Sequence, residues 1–470
     1  MTIAEFRGDA GSIRLPPRRD VPLSARIVEV IDHPVFQRLR RVRQLGPLAL
    51  IYPGATHHRF EHSVGVYGLA IEYLRALLRD PLAKSLTEAD LLTCLLGALL
   101  HDLGHYPFAH SLEASHVGDL KPPRHEVLAS ELLYGRIRLQ GDTGPTLASV
   151  IESRFSVAAE DIVSIIAQKS WTHARPERRL VASVISSGMD ADKADYLERD
   201  GLHMGLPFGA QFDRQRLLSA LVVHPDGERI ALAPGGRVAG ESFIFARYAM
   251  FSEGYWHHTA RAVAAMVEEA LRDHRRRVPV SDASLTEQLV QLDDDRFLEH
   301  LLTQSPEGSA SRALLSALTH GHRRLYKRVL TLTLAFDEPS LRTAYDRIYY
   351  LDRAQLDALR ARLREVVGGM TGRRIQPWEL LIDTPPRDKD HVEEIELVQD
   401  GVAQALSRSS QIVRGVAGDF VKVVKKIRVF VAPELREALD AKHGRRDVQQ
   451  RLVEAILDFD ADPDAQQRLL

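Results

Sequence analysis

Cysteine is nearly absent from this chain: Cys94 stands alone among 470 residues. No intrachain disulfide can form, so a disulfide-stapled secreted scaffold is excluded and a reducing, cytoplasmic setting is the expectation. Aromatic residues make up only 6%. Outside residues 248–256 they do not alternate with basic residues, as a stacking platform for single-stranded nucleic acid would require. Neither sign of charge dominates, with 62 Lys plus Arg against 64 Asp plus Glu. That balance excludes a globally basic nucleic-acid coat while leaving room for a local basic pocket. Long hydrophobic runs are missing too. The longest uncharged apolar stretch, residues 91–100, is too short to span a bilayer and reads as a buried helix. Residues 1–20 carry no apolar core of a signal peptide, so neither secretion nor a membrane location is expected.

What remains is an ordinary globular composition, 44% hydrophobic and 27% charged. Most of the chain has apolar residues at helical spacing. Helices are predicted over 62–78 and 88–101, with Thr87 as the cap of the second. Further helices are expected at 125–134, 161–168, 181–186, 191–200 and 214–221. In residues 26–44 Pro34 marks either an interruption or a new first helical position. The segment LVVHPDGERIAL reads as strand, Asp226-Gly227 turn, strand. A long helix is predicted over 241–277, and more helix to about residue 367. Composition shifts at Gly368-Gly369, and WELLID, EEIELV and KKIRVFV are strand-like. The expectation is a mainly α protein with one small β-hairpin, a main domain over 1–369 and a smaller α+β lobe over 370–470 with an acidic tail. The basic runs at 272–277 and 422–428 read as a solvated helix end and a strand with a polar face.

The chemistry gathers around histidine and aspartate. His62 lies in RFEHS, His101 and Asp102 in HDLGH, and Asp192 in MDADK. A carboxylate beside an imidazole at the end of a buried helix needs a partner. Two imidazole nitrogens and two carboxylate oxygens suit a divalent first-row cation, with positions left for water or phosphate oxygen. A bare His-Asp pair is more commonly a helix-end hydrogen-bonded pair, but further features cluster here. His105 and His110 follow the pair, Gly104 permits close backbone approach, and Pro107 turns the chain. Glu113 and His125-Glu126 offer a carboxylate–imidazole relay. Arg59, Lys193 and Arg247 are candidate phosphate clamps.

The order QLG, YPGATHHRFEHS, HDLGHYPFAHSLE, RHE, MDADKADYLERD, ARYAMFSEGYWHH resembles the HD-domain phosphohydrolases, and within them the deoxynucleoside triphosphate triphosphohydrolases. The resemblance covers roughly residues 28–335. It implies an HD-domain helical bundle and a divalent metal (Fe, Mn, Zn, Co, Ni or Mg) on His62, His101, Asp102 and Asp192. It implies that Arg59, Lys193 and Arg247 hold a triphosphate, and that His105, His110 and His125 are catalytic, with Glu113 and Glu126 as acidic partners. Gln44, Tyr196, Asp200 and Tyr255 would surround a deoxyribose. Asp32, Gln37 and Arg40, with Asp213, Arg216, Arg323 and Lys327, match an activator site for GTP or a dNTP between the subunits of a homo-oligomer, dimer or tetramer. The implied reaction is hydrolysis of a dNTP, dGTP the favoured guess, to deoxynucleoside and inorganic triphosphate. The alternatives are an HD phosphohydrolase acting on another nucleotide phosphoester, or a nucleotide-sensing or single-stranded nucleic-acid-binding protein.

Overall fold

The most apolar stretch of the chain builds the centre of the molecule. In this computed structural model, which describes residues 3–17, 19–109, 123–167, 174–278, 281–319, 323–335, 337–385 and 394–460, the helix Glu88–Leu100 is buried along nearly its whole length. It starts where the sequence predicts. The Thr87 hydroxyl accepts from the Asp90 amide, and the Asp90 carboxylate accepts from the Thr87 amide at 3.0 Å. That reciprocal cap satisfies two amides that the first turn leaves open. The Arg59–Leu77 helix packs beside it, also buried on most sides, and is covered in turn by the helix Ala191–Met204. The helices Ala159–Ile166 and Pro176–Ser183 close the other side. Pro34 opens a new short helix, Pro34–Gln37, capped by His33, whose Nδ1 accepts from the Val35 amide.

The long helix expected over 241–277 is broken. The helix Arg237–Ala249 ends in a π-helical turn, Met250–Tyr255, and a separate helix runs over His258–Arg277. Helical spacing of apolar residues continues through such a turn, so periodicity alone does not reveal it. The basic run at 422–428 also departs from its reading. Residues Phe420–Val424 are π-helical, and the strand Ile427–Val431 is buried at every position, on both faces. Its Arg428 is buried as well, donating to the Trp256 carbonyl at 2.8 Å.

Among the described residues there are three small sheets, and the two larger ones join distant segments. An antiparallel hairpin, Ser12–Leu15 with Arg19–Pro22, escaped sequence reading. The expected hairpin is present as Leu221–Val223 with Ile230–Leu232, and its second strand pairs in parallel with Glu396–Gln399, which turns back as Val402–Ala405. The third sheet places Ile427–Val431 between Lys327–Leu332 and Leu380–Asp383, antiparallel to both. Both larger sheets therefore join strands from either side of residue 370. The architecture is a helical bundle with a smaller α+β portion, and among the described residues no helix is long and apolar enough to cross a membrane.

Glycine contacts give two opposite predictions. A Cβ on Gly104 would lie 1.9 Å from the His125 carbonyl oxygen and 2.4 Å from the Ala129 amide. Gly104→Ala should therefore cost about 2–3 kcal/mol or more, because backbone would have to move. Gly369 is an exposed residue of the helix Arg353–Thr371, with nothing within 4 Å of an added Cβ. Gly369→Ala should stabilise by up to about 1 kcal/mol through helix propensity. Urea midpoints of the two variants test both signs.

Candidate active site

Three helix ends converge. His62 lies in the first turn of Arg59–Leu77, His101 and Asp102 follow the last turn of Glu88–Leu100, and Asp192 lies in the first turn of Ala191–Met204. The donor atoms of His62, His101 and Asp192 all fall within 4.8 Å of one another. His62 Nε2 is 3.0 Å from Asp192 Oδ1 and 3.2 Å from His101 Nε2, and His101 Nε2 is 3.7 Å from Asp192 Oδ1. Neighbouring ligands of a six-coordinate ion with bonds of about 2.1 Å are separated by about 3 Å, so this donor set fits a divalent first-row cation. The His101 ring is oriented for that role. Its Nδ1 faces the Ala98 carbonyl at 2.8 Å, which leaves Nε2 turned to the site. The fourth expected ligand, Asp102, borders the same two imidazoles and also meets Arg59. Its carboxylate is 3.5 Å from His101 Nε2 and 3.8 Å from His62 Nε2, and is bonded to Arg59 at 2.6 Å.

The electrostatics suit a cation. Burial opposes charge on His62, but the carboxylates of Asp192, Asp195 and Asp102 push its pKa up to about 10. Burial likewise opposes charge on Asp102, yet Arg59, His105 and His101 hold it well below the ordinary carboxylate range. Asp192 is lowered in the same way, against burial, by His62, His101 and Lys193. A negative cluster that draws a proton onto imidazole is the kind of site where a metal ion displaces that proton.

Sequence reading missed Asp195. It sits one turn beyond Asp192, and its Oδ2 lies 3.0 Å from His62 Nδ1, behind the ring. The outer nitrogen of a ligating histidine commonly meets a carboxylate in this way. The three-residue spacing of DADKAD was the available signal.

His105 Nδ1 lies 3.0 Å from Asp102 Oδ1, and its ring packs on His125 with centroids 4.0 Å apart. Burial and the Arg59 charge push His105 well below the ordinary histidine range. Glu126 is bonded to Arg124 at 2.6 Å and lies 3.8 Å from His125 Nε2, which leaves the expected His125–Glu126 relay loose. His110 and Glu113 lie outside the described residues.

Lys193 and Arg59 each meet a carboxylate: Lys193 Nζ donates to Asp190 at 2.8 Å, and Arg59 to Asp102. Lys193 and Arg247 both lie close enough to Tyr196 to oppose the effect of burial, which lifts its phenol to about 12. The Tyr196 and Tyr255 rings meet edge to face at 6.3 Å. The Tyr255 hydroxyl donates to Asp200 Oδ2 at 2.7 Å, and His57 Nε2 lies 2.8 Å from Asp200 Oδ1. His57, which stacks on His203 at 4.1 Å, is a second residue that the sequence reading passed over. Gln44 Oε1 is buried and has no hydrogen-bond partner among the described residues.

Two family models match the chain. The HD domain matches residues 59–200, and the HD associated region matches residues 212–446, half of the chain. The chain belongs to the HD-domain hydrolase family. It is 29% identical over 422 residues to the uncharacterized protein YwfO of Bacillus subtilis, covering 86% of this chain and 88% of that one. It is 28% identical over 347 residues to the deoxynucleoside triphosphate triphosphohydrolase SAMHD1 of Danio rerio, covering 67% of this chain but only 54% of that protein. A crystal structure of a hypothetical protein from Aquifex aeolicus shares the fold, with a TM-score of 0.65 over 91% of this chain and 98% of that chain at 21% identity.

The residues expected to bind an activator lie in separate surface segments. Gln37 bonds the Ile31 carbonyl and Arg40 bonds Gln37, while Asp32 is exposed beside them. Asp213 caps the helix Arg214–Ser219, and Arg216 donates to the Gly235 carbonyl. Arg323 reaches the Leu50 carbonyl, and Lys327 opens an exposed strand end. The side chains of Gln37, Arg40, Asp213, Arg216 and Arg323 bond within this chain, and Asp32 and Lys327 are exposed.

Replacing Asp192 or His101 by Ala should weaken Mn²⁺ binding by roughly 100-fold or more, since each removes one donor. Titration followed by the electron paramagnetic resonance of free Mn²⁺ measures it, and an unchanged far-ultraviolet circular dichroism spectrum shows that the fold is retained.

Proposed function

We propose that this HD hydrolase cleaves deoxynucleoside triphosphates to deoxynucleoside and inorganic triphosphate, with dGTP the favoured substrate. The observation that carries the reading is the register of one helix. Ala191–Met204 presents Asp192 to the candidate metal site, Lys193 and Tyr196 one step on, and Asp200, bonded to Tyr255, two turns further. Asp192, Tyr196 and Asp200 follow each other at four-residue spacing along one face, with Lys193 beside the first. The similarity to the triphosphohydrolase SAMHD1, at 28% identity, supports the same substrate class.

A bound divalent cation would polarise the α-phosphoryl oxygen and lower the pKa of a water. The protein groups supply the rest. Lys193, Arg247 and Arg59 neutralise charge that spreads over phosphate oxygens. Gln44, with its unsatisfied Oε1, and Asp200 receive the 3′-hydroxyl, while the Tyr196 ring crowds the 2′ position. His110 is the proposed donor of a proton to the departing 5′-oxygen, kept protonated by Glu113 and His125-Glu126. The reading carries with it a homo-oligomer, dimer or tetramer, in the cytoplasm. GTP or a dNTP would act as activator at Asp32, Gln37 and Arg40 of one subunit and Asp213, Arg216, Arg323 and Lys327 around it.

The test incubates the protein with each of the four dNTPs and Mn²⁺ or Mg²⁺, with and without GTP, and resolves products by ion exchange. Inorganic triphosphate with free deoxynucleoside is expected, with turnover lost on chelation and below about 1% in Asp192→Ala. Deoxynucleoside monophosphate with pyrophosphate would overturn the assignment. Turnover only of another phosphoester would move the protein to that substrate class.

A further inference from the structure

The N-terminal hairpin is fastened to the back of the candidate metal centre. Arg19, at the start of the hairpin's second strand and 5% exposed, donates from Nη1 to Asp195 Oδ1 at 2.7 Å and from Nη2 to Glu198 Oε2 at 2.9 Å. Its Nη1 also approaches the Gly65 carbonyl at 3.4 Å. Arg199, four residues after Asp195 on the same helix, takes both oxygens of that carboxylate at 2.7 and 2.9 Å, and donates to the Pro16 carbonyl of the hairpin at 2.9 Å. Asp195 Oδ2 then faces His62 Nδ1 at 3.0 Å. One carboxylate is thus gripped from its own helix by Arg199 and from a different segment by Arg19, and its second oxygen orients the imidazole.

The layer lies directly on the backbone of the His62 helix. A Cβ on Gly65 would come within 2.2 Å of Arg199 Nη2 and 2.3 Å of Asp195 Oδ1. One turn on, a Cβ on Gly68 would meet Val21 of the hairpin at 2.8 Å. Two glycines on one face of that helix leave room for a guanidinium–carboxylate layer and for the strand that delivers Arg19.

We propose that Arg19 is a positioning residue for the metal centre, holding Asp195 in the rotation that turns His62 Nε2 toward the ion. This rests on the reading of His62 as a metal ligand. Arg199 already binds both oxygens of Asp195. What it lacks is a second direction of pull, because it approaches along the carboxylate's own helix. Arg19 supplies that direction by binding Oδ1 from outside the helix, and a fixed carboxylate is what fixes the ring. Lysine at position 19 would keep the charge but has no planar fork to reach Asp195 and Glu198 together.

The experiment measures Mn²⁺ affinity, by the resonance of free Mn²⁺, in wild type, Arg19→Ala, Arg19→Lys and Arg14→Ala, each checked by circular dichroism. Arg14 pairs with Asp20 on the exposed side of the same hairpin, at 2.9 Å. Arg19→Ala should bind about tenfold more weakly. Arg19→Lys should fall between it and wild type, and Arg14→Ala should match wild type within twofold. If Arg19→Ala does not fold, Arg19→Lys carries the comparison, and a Kd within twofold of wild type then overturns the proposal. A lowered melting temperature with unchanged Mn²⁺ affinity in Arg19→Ala, the result of a merely structural role, also overturns it. A wild type that takes up no Mn²⁺ overturns the metal reading and the proposal together. Binding by wild type without dNTP turnover would fault the substrate assignment alone.

Discussion

Burying Asp102 and Asp195, with the half-buried Asp192 beside them, within a few ångströms of His62 is costly unless each carboxylate meets positive charge, and the surrounding structure is arranged to supply it. Arg59 answers Asp102, Arg19 and Arg199 answer Asp195, and His62 with His101 answers Asp192. The acidic cluster still pulls a proton onto His62. That residual negative potential is what a divalent cation would neutralise. The same demand explains why the three central helices present their ends to one another. Helix termini are where polar side chains meet in an otherwise apolar core without sacrificing interior hydrogen bonds.

The rest of the fold holds those ends in place. Glu88–Leu100 is too apolar to lie anywhere but the centre, which fixes His101 and Asp102 at a buried position. The break at Met250–Tyr255 separates two helices that the sequence reads as one, and Tyr255, at its end, reaches Asp200. The larger sheets join strands from the two sides of residue 370, so the segments around the site are tied to the C-terminal portion through backbone hydrogen bonds.

Much of this was legible from residue order. The helix Glu88–Leu100 and its Thr87 cap, Pro34 at the start of a new helix, the 221–232 hairpin and the strands at 380–383, 396–399 and 427–431 all follow local rules of propensity, capping and turn chemistry. The HD motifs named His62, His101, Asp102 and Asp192 as a group, and the donors of His62, His101 and Asp192 fall within 4.8 Å of one another. Less visible were features that depend on a distant partner. Nothing local to Arg19 says that it meets Asp195, 176 positions away. His57 reads as a loop histidine until Asp200 arrives from another helix.

The sequence alone determined the helical class, the central apolar helix and the chemical type of the site, because helix periodicity, caps and a His-Asp motif are encoded within a few residues of each other. Tertiary structure decided which charge meets which. It set Arg59 on Asp102, placed Asp195 behind His62, drew the N-terminal hairpin onto the metal-facing helices, and buried Ile427–Val431 on both faces. The physical reason is that a buried charge is stabilised only by its neighbours in space, and those neighbours come from segments brought together when the chain folds.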